Sequence, residues 1–207
     1  MTRFRSRRVI VAPVLLALAG CAQPAGQAVK AIAEPDIAAA YLPLTGREHL
    51  GIDRIAGAAM VIAPGIAVTN AHNYNLIDPK SVIGQSRDYD LLFFRSQGTV
   101  VPASAAPAAD MKVTAYGEAP GGGLRLAHGV VREIHACDGC GSAPAYFTFA
   151  ANAGPGFSGG PVVDGQGRLI GITFGFKDQG KERLIFAYDL GRVMAELKRL
   201  GPTGPPN

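Results

Sequence analysis

From residue 55 onward the chain breaks into short runs in which apolar residues alternate or cluster, each bounded by turn-forming residues. Ten runs read as strands: 57–63, 65–69, 81–83, 91–95, 111–116, 124–134, 146–150, 161–163, 169–174 and 184–188. Pro64-Gly65, Gly121-Gly122-Gly123, Asp164-Gly165 and Gln166-Gly167 mark turns between them. The period changes at 189–200, where Leu190, Val193, Met194, Leu197 and Leu200 recur at helical spacing. Asp189 is the expected N-cap of that helix and Gly201 its stop. The pattern predicts an all-β body, a barrel or sandwich, finished by one C-terminal amphipathic helix.

The front of the chain follows another logic. Residues 1–8 are rich in arginine, and 9–19 (VIVAPVLLALA) are apolar throughout. Eleven residues are too few to span a bilayer, which needs ~18 or more. A charged start, a short apolar stretch and small residues before a cut describe an export signal over residues 1–20. Ser6-Arg7-Arg8 faintly resembles a twin-arginine export signal. Leu18-Ala19-Gly20-Cys21 resembles the lipobox of bacterial lipoproteins. That resemblance implies cleavage before Cys21, acyl chains on Cys21, and a stable membrane anchor, because several chains hold where one is marginal. Ala22, rather than aspartate, follows the cysteine. By the same resemblance this implies a periplasm-facing protein at the outer membrane. Residues 21–46, rich in Ala, Pro, Gln and Gly, read as a tether with a helical turn near Pro35–Tyr41. The folded domain is expected over 47–200, starting near Arg47–Ala56, and 201–207 (GPTGPPN) as a disordered end.

Composition narrows the function classes. The 27 glycines and 15 prolines suit a turn-rich β protein better than a helical bundle. The net charge of +4 is misleading, since Arg3, Arg5, Arg7 and Arg8 all lie in the export signal. Without them the remaining basic residues balance the 16 acids, so charge gives no case for nucleic-acid binding.

Three segments carry candidate chemistry: VTNAHN at 68–73, DYDLLFF at 88–94 and GPGFSGGP at 154–161. A serine hydroxyl is a weak nucleophile until a base takes its proton. Its attack on a carbonyl creates a negative oxygen that needs donors already aimed at it. Gly156 can take positive φ, so that its N–H and that of Ser158 point into one small space. Gly159 and Gly160 would leave room for substrate. Histidine has a suitable pKa for the base, which points to His72. Asp90, just before an apolar run, would hold the imidazole tautomer and stabilise its charged form.

In the order His72, Asp90, Ser158 the three segments resemble those of the trypsin-like serine peptidases, most closely the bacterial HtrA-type protease domain. The serine stretch GPGFSGGPVVDGQGRLIGITFGF carries the likeness most specifically, and VTAYGEAPGGGLRLAHGVVREI resembles the strand pair that opens the family's second barrel. The resemblance covers about residues 55–190. It implies two packed six-stranded β-barrels with the site in their cleft and an acyl-enzyme mechanism without cofactor. His72 and Asp90 would come from the first barrel and Ser158 from the second. Gly156 and Ser158 would supply the oxyanion hole. Thr173, Phe174 and Gly175 would line the specificity pocket and pair with the substrate backbone. Asn152 would lie near the pocket floor, favouring a small or apolar residue before the cut.

The sequence also departs from the family. His72 and Asp90 are close in the chain, so the first barrel must be shortened or another acid serves, Asp88 first and Asp78 after it. Phe157 precedes the serine where digestive relatives carry an aspartate that pairs with a freed amino terminus. The site is therefore expected to form without that kind of activation. No peptide-binding module is expected after the helix, unlike full-length HtrA proteins.

Cys137 and Cys140 are the only cysteine pair left once Cys21 is acylated, and an oxidising compartment favours a local disulfide between them. A metal site with His135 lacks a nameable fourth ligand, so no metal is expected. His49 and His128 read as ordinary surface or structural residues. Besides a lipid-anchored endopeptidase acting on peptide or protein, an inactive peptide-binding module on the same fold and an esterase using the same groups stay open.

Overall fold

The computed structural model describes residues 25–47, 54–136 and 145–201. The signal, Cys21, His49, Cys137 and Cys140 lie outside the described residues. The described elements are, in order, strand β1 (Gln27–Ala28), helix α1 (Pro35–Ala40), and strands β2 (Tyr41–Arg47), β3 (Arg54–Ala63), β4 (Ile66–Thr69), β5 (Val82–Gln85) and β6 (Leu92–Arg95). Then come β7 (Lys112–Glu118), β8 (Leu124–His135), β9 (Tyr146–Ala151), β10 (Pro161–Asp164), β11 (Leu169–Gln179), β12 (Glu182–Asp189) and helix α2 (Leu190–Arg199).

All ten expected strands are present, with ends moved by a few residues, and so is the C-terminal helix. Asp189 caps α2 by accepting the Arg192 N–H at 3.2 Å. Gly201 follows the helix at φ +87°, a left-handed stop that suits glycine.

The strands form two sheets. Six strands of the C-terminal sheet run β8-β7-β10-β11-β12-β9, and β9 pairs back onto β8, closing a barrel, while β1 adds to the outer edge of β8. Its interior holds Phe147, Phe149, Phe157, Val162, Ile170 and Ile185. The N-terminal sheet has five strands in the order β2-β3-β4-β6-β5, among the described residues an open row. The C-terminal half is a closed six-strand barrel as expected, and the N-terminal half shows five strands among the described residues without that closure. The chain between His72 and Asp90 explains why: it forms two short 3-10 turns, Ala71–Leu76 and Pro79–Ser81, and keeps only four residues for a strand. After β6 the Ala- and Pro-rich stretch adds no further strand, only an isolated bridge from Ser104 to Leu169. Its sequence has no alternation to support one.

Five buried residues from strands of the closed barrel, Tyr116, Val163, Leu169, Ile172 and Tyr188, join the core of the first sheet. Ile172 and Tyr188 turn away from the barrel interior and pack into the core of the first sheet with Met60, Val68, Leu92 and Phe93. Burial of each such side chain stabilises the assembly by about 1.5–3 kcal/mol.

The tether over 21–46 also needs correction from residue 25 on. Ile37 and Ala40 of α1 are fully buried, and β2 pairs with β3 over its whole length, from Tyr41 with Met60 to Arg47 with Arg54. Pro43 and Gly46 hid this strand in the sequence, because both are rare in strand interiors. The strand lies at the sheet's edge, where the N–H that proline lacks is not required.

Candidate active site

His72 sits at the start of the 3-10 turn that follows β4. The short turn projects its imidazole into the open, with 48% of the side chain exposed against 33% for Asp90. Asp90 lies just ahead of β6, which pairs with β4 so that Thr69 faces Leu92. This pairing brings the two residues together. Asp90 Oδ2 lies 2.6 Å from His72 Nδ1, and Oδ1 accepts the backbone N–H of His72 at 3.0 Å. Partial burial pushes the Asp90 carboxyl up, but the hydrogen bonds and charge of His72 and the N–H groups of His72 and Ala71 outweigh it. Its pKa is held below the usual carboxylate range. Asp90 is therefore an anion at any pH where His72 can act as a base.

The competing acids are occupied elsewhere. Asp88 pairs with Arg199 of α2 at 3.0 Å. Asp78 caps the second 3-10 turn, accepting the Lys80 N–H at 3.0 Å.

One residue near the pair had no signal in the sequence. The N–H of Asp90 donates to the Tyr188 hydroxyl at 3.0 Å, across 98 residues of chain. The Tyr188 ring stacks on Phe174 with centroids 4.0 Å apart and meets the edge of Tyr89. Burial pushes the Tyr188 phenol up to about 12, so it stays neutral. On the other side, Asn70 Nδ2 donates to the Asp90 carbonyl at 3.0 Å. Tyr188→Phe keeps the ring and removes the acceptor. It is expected to lower kcat about tenfold, or ~1.4 kcal/mol of barrier, with little change in KM, as steady-state kinetics on a peptide substrate would reveal.

Ser158 reaches the same cleft from the closed barrel. Its carbonyl accepts the N–H of Ala58 in β3 at 2.9 Å and the side-chain amide of Asn73, the residue after His72, at 3.2 Å. Asn73 also donates to the Thr69 hydroxyl, which itself donates to the Ala58 carbonyl at 2.7 Å. The loops of the base and of the hydroxyl are thus stitched together by buried polar groups. Gly159, at φ +82°, has the Ala58 carbonyl and Thr69 Oγ1 where a Cβ would stand, and Gly160 has the Tyr116 carbonyl there. These two glycines let the loop lie against β3 and β7. The idea that they make room for substrate is thereby replaced.

Gly156 takes φ +89°, and a Cβ there would collide with the Glu118 carbonyl. Its carbonyl accepts the Glu118 N–H at 2.9 Å. Among the described residues no acceptor engages the N–H of Gly156 or of Ser158, so both can serve a ligand.

The expected specificity residues divide. Thr173 is buried, and its backbone is already used: its N–H donates to Gly160 and its carbonyl accepts from Gly159. On that edge β10 follows β11 as far as Ile172, and the Gly159–Gly160 stretch takes up both backbone groups of Thr173. Phe174 leans on Tyr188, and Gly175 follows it with open space at its Cα. Asn152 is exposed and lines a cavity of about 440 Å³ with Asp178, Lys181, Glu182 and Arg183.

Of the other histidines, His128 bonds Thr114 Oγ1 at 3.0 Å, while His135 stacks on Tyr146 at 4.3 Å and faces Glu133. Among the described residues no cluster of His, Cys, Asp and Glu has the arrangement of a metal site.

Comparison with solved structures places this geometry. The Rv3671c protease of M. tuberculosis in its active form is 18% identical, with 96% of this chain and 97% of that one covered and a TM-score of 0.64. The HtrA-type protease AlgW, solved with a tripeptide, is 19% identical, with 80% of this chain and 61% of that one covered, and also has a TM-score of 0.64. The serine endoprotease of Yersinia pestis is 18% identical, with 80% of this chain and 64% of that one covered and a TM-score of 0.63. At these identities the likeness establishes the fold. No curated protein matches the chain in sequence. The family model for the trypsin-like peptidase domain matches residues 53–172, more than half of the chain and the stretch that holds both His72 and Ser158. The chain accordingly belongs to the trypsin-like peptidase family, and is an enzyme of the serine endopeptidase class.

Proposed function

We propose that the protein is a lipid-anchored serine endopeptidase of the bacterial cell envelope, working through His72, Asp90 and Ser158. The observation that carries the reading is the pairing of Asp90 with His72 Nδ1 while the neighbouring Asn73 ties down Ser158. An imidazole whose Nδ1–H faces a carboxylate presents a basic Nε2 on its other side. In the reaction Ser158 Oγ bonds to the scissile carbonyl carbon and its proton passes to His72 Nε2. The carbonyl electron pair moves onto oxygen, where the N–H groups of Gly156 and Ser158 receive it. Collapse breaks the C–N bond, the departing amine takes the proton from His72, and an acyl-enzyme is left on Ser158. Water then repeats the sequence, with His72 again accepting and returning the proton, and frees the acid.

The substrate would lie extended along the edge of β11 that, among the described residues, β10 leaves after Ile172, adding a strand beyond Thr173. A fluorophosphonate probe tests the reading. Labelling of the wild type that disappears in Ser158→Ala supports it. A folded wild type that takes no label favours the peptide-binding module instead.

The lipid anchor rests on the Leu18–Cys21 motif. The described residues hold no helix long and apolar enough to cross a membrane. Cys21→Ser is expected to move the protein from the membrane to the soluble fraction while kcat on a peptide substrate stays as it was. Fractionation followed by assay would check both halves, and retention of the variant in membranes would remove Cys21 from the account.

A further inference from the structure

The loop that carries Ser158 is tied down through its backbone at Gly156, Ser158, Gly159 and Gly160, but few of its own side chains anchor it. Between Gly154 and Gly160 it has four glycines and one exposed proline, and Phe157 is its sole large apolar side chain. Glycine-rich backbone loses much conformational freedom when ordered, and oxyanion donors act only when held in place beforehand. What holds Phe157 therefore adds the side-chain half of the support that the backbone bonds begin.

Phe157 is 1% exposed. One side of it lies against Gly117, where an added Cβ would come within 2.6 Å of Phe157 Cα. The other side is covered by the stretch that composition assigned to a tether. At Gly26, φ +72°, a Cβ would stand 2.7 Å from Phe157 Cζ, and the Ala25 methyl lies 3.0 Å from where a Cβ on Gly154 would be. This stretch is fastened to β8. Gln27 faces Leu126 and Ala28 faces Arg125 in antiparallel register, and the Val29 N–H donates to the Leu124 carbonyl at 3.1 Å. A two-residue strand is a weak attachment. The Arg125 guanidinium strengthens it, donating from Nε to the Ala25 carbonyl at 2.5 Å and from Nη2 to the Gly26 carbonyl.

We propose that the Ala25–Ala28 segment, clamped by Arg125, is a positioning element for the oxyanion loop. By pinning the Phe157 ring it fixes the turn from Gly154 to Ser158, in which the Phe157 N–H bonds the Gly154 carbonyl at 3.0 Å and the N–H groups of Gly156 and Ser158 stay free for substrate. The proposal deepens the peptidase reading and rests on it. An internal segment does here what an ion pair with a freed amino terminus does in digestive relatives. Phe157, which has no charge, is held by packing.

The test uses the full chain and two variants. Gly26→Val drives a side chain into the Phe157 ring, and Arg125→Ala releases the clamp. Hydrogen exchange over residues 152–160, read by mass spectrometry, reports the loop whether or not substrate is turned over. Kinetics on a peptide anilide report the site. Loop exchange is expected to rise at least about tenfold in both variants and kcat to fall about ten- to a hundredfold, the scale of a small misplacement of catalytic groups. KM should stay within about twofold. Arg125→Lys, which retains a single cationic donor nitrogen in place of the fork, should recover part of both and serves if a harsher variant does not fold. Unchanged loop exchange in folded Gly26→Val and Arg125→Ala overturns the proposal, as does unchanged kcat in an active protein. Faster loop exchange in a protein whose wild type neither turns over nor takes the fluorophosphonate supports the brace and sinks the peptidase reading instead.

Discussion

Ser158→Ala is expected to lower kcat about a millionfold. Without the hydroxyl no acyl-enzyme can form, and what survives is the stabilisation of an oxyanion by the N–H groups of Gly156 and residue 158, acting on attack by water. His72→Ala should fall to nearly the same level, and the double variant no lower, because the two groups act as one unit. Burst kinetics on an activated ester would separate acylation from deacylation, with the burst present in the wild type and gone in both variants. Little should happen to stability. Ser158 is tied into the fold through its carbonyl, which accepts from Ala58 and Asn73, and alanine retains that carbonyl. A folded Ser158→Ala protein that still hydrolyses peptide at an appreciable fraction of the wild-type rate would exclude this serine as nucleophile.

Asp90→Asn should cost about ten-thousandfold in kcat. The amide can keep the contact with His72 but favours the wrong tautomer, with the proton moved to the nitrogen that must accept it from Ser158. The loss should shrink at high pH, where hydroxide can replace part of the base's work. Asp88→Asn is the matched control. Asp88 pairs with Arg199 on the surface, both side chains being more than half exposed, and such pairs contribute about 0–1 kcal/mol to stability. Its kcat should equal that of the wild type. Parallel assays of the two variants over pH 6–10 decide the matter, and the reverse ranking would transfer the role to Asp88.

The depressed pKa of Asp90 also carries a sign. A carboxyl whose pKa is lowered by folding adds stability above its unfolded pKa of about 3.9, and that contribution is lost as pH falls through the lower folded value. The pairing of Asp90 with His72 is thus intact across the whole range in which the enzyme would be assayed.

Much of the molecule could be read from local pattern. Alternation or short apolar runs located β3 to β12, because those strands carry apolar residues between turn-forming ones, some buried on one face and some, such as β10, on both. Helical spacing from Leu190 to Leu200 located α2 together with its cap and stop. The three segments around His72, Asp90 and Ser158 were legible because the chemistry needs particular residue types beside glycines and a strand.

Other features depended on partners distant in the chain. The helical turn near Pro35–Tyr41 was legible as α1, but β1 and β2 were missed because alanine, proline and glycine conceal periodicity, and these strands are held by β8 and β3 rather than by their own propensity. That Asp88 is engaged by Arg199, 111 residues further on, depended on which face of α2 came near. Tyr188 meets Asp90 across 98 residues, and Arg125 meets Ala25 across 100. Local sequence sets propensity and face, because backbone sterics and hydrophobic period act within a few residues. Which hydroxyl meets which amide, and what covers Phe157, was decided by the packing of the two sheets, since only their closure brings those groups within reach of one another.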